Sequence, residues 1–168
     1  MERTKLDRLF LKTVAFFQNA PDQIQHFVKV HGFAAHIGRL EGLTDREQFT
    51  LEAAAYVHDV GIPPANRKYG SCNGKLQEQE GPPVATELLA SLDFPPEVTE
   101  RVAYLVGHHH TYTDIDGMDY QILVEADFLV NLYGGHTPKE QIEATGRNLF
   151  KTAAGKRILS ELFGVPLE

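Results

Sequence analysis

The sequence runs to 168 residues, a length that suits one domain and can bury a sizeable core. A formal net charge of −7 argues against a general nucleic-acid binder, whose footprint is basic, while 42% hydrophobic and 23% charged residues are ordinary for a soluble globular chain. Cys72 is the single cysteine, which rules out an internal disulfide and fits a reducing compartment, and no stretch approaches the roughly 18 apolar residues of a membrane span. The expectation is a cytoplasmic protein that binds neither membrane nor nucleic-acid polymer.

The apolar period is helical nearly throughout. Leu6, Phe10, Val14 and Phe17 fall on one face, so the N-terminal apolar run reads as a helix from Arg3 to Asn19 and not as a signal. A second helix starts near Asp22, turns Ile24, Phe27, Val30, Phe33, Ala34 and Ile37 inward, and closes at Gly42. Thr44-Asp45-Arg46-Glu47 is a capping-box signature for a third helix, which ends near His58-Asp59. Gly61 to about Lys75 reads as a long functional loop. A fourth helix follows from about Glu78 to Leu92, with Pro82-Pro83 tolerable only in its first turn. A fifth runs from Pro95 or Pro96 to about His109. After a loop from Thr111 to Gly117, a sixth spans Asp119 to Tyr133. One more starts after Thr137-Pro138, and a last ends near Phe163. The pattern predicts one all-α domain over residues 1–168 with about seven or eight helices. Exposed apolar residues of the first and last helices could support a homodimer.

Several polar residues sit where an apolar face is expected. His26 shares a stripe with Val30, Phe33 and Ile37. His109 follows Val102, Leu105 and Val106, and Asp127 falls among Ile122, Leu123, Ala126 and Val130. His58-Asp59 ends the greasy run Ala53-Ala54-Ala55-Tyr56-Val57. Buried unpaired, a carboxylate and an imidazole are costly, and a divalent cation that takes both offsets that cost. Any one of these is more often a satisfied core residue. Together, on separate helices, they point to a metal centre.

In this order, His26, His58-Asp59 and Asp127 resemble the HD-domain superfamily of metal-dependent phosphohydrolases, over about Gln23 to Leu132. The local matches are His26-Phe27-Val28-Lys29-Val30, Ala55 to Gly61, and Glu125-Ala126-Asp127-Phe128-Leu129, with His26 lying 32 residues before His58 and Asp127 lying 68 after Asp59. The resemblance implies a helical bundle in which His26, His58, Asp59 and Asp127 bind a divalent metal. It also implies a second ion in many members, bridged by Asp59 and held by further histidines. His109 matches one of these, with His108 or His110 taking its place if the register slips by one. Glu80 stands where the other histidine is expected, as a ligand or proton acceptor. No Gly-Tyr-Pro follows His58-Asp59, which argues against the cyclic-dinucleotide phosphodiesterases of the superfamily.

The implied chemistry is hydrolysis of a small phosphate ester, a nucleotide or related phosphomonoester. Metal-activated hydroxide attacks phosphorus, and Asp59 or Glu80 receives the proton. Imidazole ligands favour Mn, Fe, Co, Ni or Zn over Mg, as one or two ions. Arg67, Lys68 and Lys75, in the loop beyond His58-Asp59, are candidate phosphate contacts. The alternatives are a di-iron oxygenase of the same superfamily, counting Glu80 among its ligands, and a regulatory module that has lost catalysis.

Overall fold

Thr44 opens one of the central helices as the sequence leads one to expect. Its hydroxyl accepts from the Glu47 backbone N–H (3.3 Å), and the Glu47 carboxylate accepts from the Thr44 N–H (2.9 Å). The computed structural model describes residues 1–167 and, among them, nine helices: α1 (Glu2–Phe16), α2 (Pro21–Leu40), α3 (Asp45–Val57), α4 (Ile62–Tyr69), α5 (Gly74–Ala90), α6 (Pro96–Val106), α7 (Met118–Gly134), α8 (Lys139–Leu149) and α9 (Ala153–Phe163). No strand occurs among the described residues, and no helix is long and apolar enough to cross a membrane.

Two elements differ from the sequence reading. The expected loop after Gly61 contains α4. Pro63 and Pro64 occupy its first turn, where a missing N–H costs nothing, and Gly70 ends it in the left-handed region (φ 65°), its N–H bonded to the Asn66 carbonyl (2.9 Å). Helix α5 begins four residues before Glu78, at Gly74, capped by the Asn73 side chain on Leu76 N–H (3.1 Å). Pro82 and Pro83 therefore lie in its interior and not in its first turn. Packing against α4 and α6 holds this helix together where local propensity does not.

The core lies where α2, α3, α6 and α7 pack together, with Phe27, Ile37, Leu51, Leu105, Ile122, Leu123 and Leu129 fully buried. Each such side chain contributes about 1.5–3 kcal/mol. Helix α7 is enclosed by α2, α3 and α9, which explains why polar Gln121, Glu125 and Asp127 are buried along with its apolar residues. The buried Glu125 carboxyl accepts from the backbone N–H groups of Lys151 (2.7 Å) and Thr152 (3.0 Å) and from the Thr152 hydroxyl, fastening the start of α9 to α7.

Candidate metal centre

Four elements converge on one point. Helix α2 supplies His26, the C-terminal end of α3 supplies His58 and then Asp59, the turn after α6 supplies His109, and α7 supplies Asp127. His58 and His109 use the same local device. Each stands just past a helix end, where carbonyls lack helical donors, and each gives its Nδ1–H to the carbonyl three residues back. The acceptors are Ala55 and Val106, both at 2.8 Å. A carbonyl can only accept, so Nδ1 carries a proton in both rings and Nε2 is the nitrogen turned to the centre, free to coordinate once it holds no proton.

Those nitrogens face carboxylates. His26 Nε2 lies 3.1 Å from each of Asp59 Oδ2, Asp127 Oδ1 and His58 Nε2. His58 Nε2 lies 3.3 Å from Asp59 Oδ2 and 3.5 Å from Asp127 Oδ1. Donors sharing an ion at about 2.0–2.2 Å stand roughly 3.0–3.5 Å apart, so each imidazole nitrogen is spaced from the Asp59 and Asp127 oxygens as a fellow ligand would be. The other Asp59 oxygen, Oδ1, lies 3.4 Å from His109 Nε2. His109 Nε2 is buried with no hydrogen-bond partner, an acceptor that a cation would satisfy. Two donor sets, His26/His58/Asp59 and Asp59/His109/His110, each lie within 4.8 Å and share Asp59 through its two oxygens.

Charge follows this geometry. Burial alone would lower the His26 pKa, but its bonds to Asp127 and Asp59 raise it. Burial likewise opposes the charged form of His58, and the Asp59 carboxylate overrides it, holding His58 well above its ordinary value. Asp59 and Asp127, which burial alone would raise, are held below the usual carboxylate range, Asp59 mainly by the His58 charge and Asp127 by hydrogen bonds from His26 and His58.

The tandem histidines resolve into separate roles. His108 turns away, stacked on Tyr104 (centroids 4.0 Å apart) with Nδ1 donating to the Tyr104 carbonyl (2.7 Å). His109 faces Asp59, and beside it His110 lines the cavity and donates from Nε2 to Gln77 Oε1 (3.0 Å). The turn is pinned from two sides. Glu78 accepts from His110 N–H (3.0 Å) and the Thr111 hydroxyl (2.8 Å), and the Tyr120 hydroxyl meets the His108 carbonyl (2.8 Å).

Glu80 is not brought to the centre. Its carboxylate bonds Lys68 Nζ (3.1 Å) and the Tyr69 hydroxyl (3.0 Å) on α4, away from the cavity. Because α5 starts earlier than expected, the residue that faces inward is Gln77, one turn before Glu80, buried and lining the cavity. Lys68 is engaged with Glu80, and Arg67 and Lys75 are exposed; none of the three lines the cavity beside His26.

That cavity, about 230 Å³, contains two polar residues that sequence reasoning missed. Gln23 donates to Asp59 Oδ2 (2.7 Å) and Asn131 to Asp127 Oδ1 (3.0 Å). Both were readable from helical spacing, since Gln23 precedes His26 by three residues and Asn131 follows Asp127 by four.

The HD-domain family model matches residues 24–159. The chain belongs to the HD-domain family. The match begins at the start of α2, spans every converging ligand and reaches into α9, beyond the Leu132 limit of the sequence resemblance. The HD domains are a superfamily of metal-dependent phosphohydrolases, and this HD domain carries a His/Asp cluster that could hold a divalent metal. No curated protein matches the chain.

Proposed function

We propose that this HD domain hydrolyses a small phosphate ester, a nucleotide or related phosphomonoester. The observation that carries the reading is the convergence of His26, His58, Asp59 and Asp127, with the His26 and His58 nitrogens 3.1–3.5 Å from the Asp59 and Asp127 oxygens, at a cavity open to a small molecule. A divalent ion held by these residues supplies positive charge to a phosphoryl oxygen and lowers the pKa of a water. The imidazole donors favour a transition metal over Mg.

The chain's own groups do the remaining work. The hydrogen bonds from Gln23 and Asn131 fix the two carboxylates as ligands and leave each amide a second N–H to offer a phosphoryl oxygen. Asp59, held ionised, acts as a ligand shared between the two donor sets. In the reaction the water oxygen bonds to phosphorus, the P–O bond to the alcohol breaks, and the alcohol departs with a proton from the water. The di-iron alternative loses the support of Glu80, which bonds Lys68 and Tyr69 instead.

The test is phosphate release from a panel of esters by chelator-stripped protein given Mn, Fe, Co, Ni, Zn or Mg in turn. Turnover should require added metal, and His58→Ala and Asp59→Ala should lose bound metal and at least a thousandfold in rate, of the order seen when a charge-stabilising group is removed. Full activity of metal-free Asp59→Ala protein, or no phosphate release with any ion, would refute the proposal.

A further inference from the structure

The metal-site cavity continues away from the ligands. It shares His26 and Asn131 with a second cavity of about 510 Å³. That cavity in turn shares Lys29, Val130 and Tyr133 with a third of about 230 Å³, lined also by Phe33, Leu129 and the half-exposed Leu162 of α9. The three form one trench between α2 and α7. On α2 its floor is a single helical stripe, His26, Lys29 and Phe33, spaced three and four residues apart. His26 and Phe33 are therefore separated by about 10 Å of helix rise.

The trench changes character along its length. At the ligand end it is polar. At the far end the residues meeting the cavity are apolar except for the Lys29 ammonium and the Tyr133 hydroxyl. Nothing there offers a set of hydrogen bonds to a hydroxyl-rich sugar. Between the two ends stands Lys29, exposed and without an ion pair among the described residues, the one cation lining any of the three cavities. Asp22 and Gln25 form the outer rim.

We infer that this trench is the leaving-group subsite, taking the apolar alkyl or aryl portion of a phosphate ester whose phosphoryl group sits at the His/Asp cluster, with Lys29 pairing with a phosphoryl oxygen at the threshold. The inference rests on the phosphohydrolase reading and narrows its substrate class. The continuity of the apolar end with the ligand cavity selects this occupant. The ligand cavity also adjoins a cavity of about 470 Å³ through Gln23 and Ile62, but of the two exits only the trench carries a lysine and ends in an apolar pocket, so it is the exit that rewards carbon.

The experiment measures binding of methyl-, butyl-, hexyl- and benzylphosphonate to the metal-loaded full chain by calorimetry. These compounds keep the P–C bond and report affinity without turnover. Affinity should rise two- to fourfold per methylene from methyl to butyl, the gain expected when methylenes are buried. Leu162→Glu should flatten that rise. Lys29→Ala should weaken the whole series about equally, by roughly two- to fivefold. Equal affinity across the wild-type series would overturn the inference, and it does so without any variant having to fold. Flat phosphonate affinity alongside active ester hydrolysis refutes the trench and leaves the hydrolase reading standing. Chain-length preference without hydrolysis of any ester refutes the hydrolase reading while the apolar subsite stands.

Discussion

Replacing Gly61 by alanine should disturb the metal site without touching a ligand. Gly61 adopts an ordinary right-handed helical conformation (φ −73°), which alanine accepts, so any effect is steric and not conformational. A Cβ there would overlap the Gln77 carbonyl and lie 2.9 Å from Gly81 N and 3.0 Å from Gln77 Cα. Ordinary carbon contacts are about 3.5–4.0 Å, so the α5 backbone must retreat by roughly 0.5–1 Å. Because the obstruction is backbone, no side-chain rotation relieves it. Overpacking of this kind costs about 1–3 kcal/mol, a fall in Tm of roughly 3–10 °C for a chain of this size. The displaced turn carries Gln77, so turnover should fall by about tenfold or more with metal content unchanged. Thermal melts, metal analysis and steady-state kinetics read these three quantities. The control is Gly32→Ala, inside α2 with nothing within 4 Å of the new Cβ, which should raise stability by about 0.5–1 kcal/mol. A Gly61→Ala protein that melts at or above the wild-type temperature with unchanged kinetics would refute the close-packing argument.

Gln77→Ala should lower kcat/KM at least tenfold, whereas Glu80→Gln should change it less than threefold; equal effects would mean that α5 presents a different face. Ion-free protein should be most stable between about pH 4 and pH 6.5. The raised His26 and His58 contribute stability that is full below the unfolded imidazole pKa and is lost as pH rises through their folded values. The lowered Asp59 and Asp127 contribute stability that is present above the unfolded carboxylate pKa and is lost as pH falls through theirs. Metal must displace the imidazole protons, so the rise in Tm on adding Mn should grow from pH 5 to pH 8, and a rise independent of pH would contradict this assignment. Glu125→Ala leaves two backbone N–H groups without their acceptor and should cost about 3 kcal/mol by denaturant titration, with metal stoichiometry intact.

The convergence of the histidines and aspartates was legible because helical spacing alone assigns a face. His26 with Val30, His109 with Val106 and Asp127 with Val130 each sit one turn from a core residue, and no knowledge of the tertiary fold is needed to see it. What spacing does not give is the rotation of a helix whose start is misplaced. Glu80 stood as the candidate because it takes the place of a histidine expected from the resemblance; in the fold Gln77, one turn earlier on α5, faces the cavity and Glu80 meets α4. The prolines misled for a related reason. Pro63-Pro64 and Gly70 read as marks of a loop although they suit the first turn and the end of α4, while Pro82-Pro83 lie inside α5, which packing against α4 and α6 holds through its interior. Basic residues were sought in the segment next in sequence to His58-Asp59. Lys29, one turn from His26 on α2, lines the adjoining cavities, whereas Arg67, Lys68 and Lys75 line none of them.

The hydrogen bonds from His58 and His109 to the carbonyls of Ala55 and Val106 separate two events that many small metal proteins merge. Where an ion must gather its ligands, folding and loading are one transition. In this protein the helix ends choose each ring's tautomer and aim, so the coordinating geometry is complete once the chain has folded. An ion can leave and another enter without the backbone rearranging. For an ion held there, its identity would then depend on the supply around the protein as well as on the donor set, and one metal could replace another while the fold stays the same.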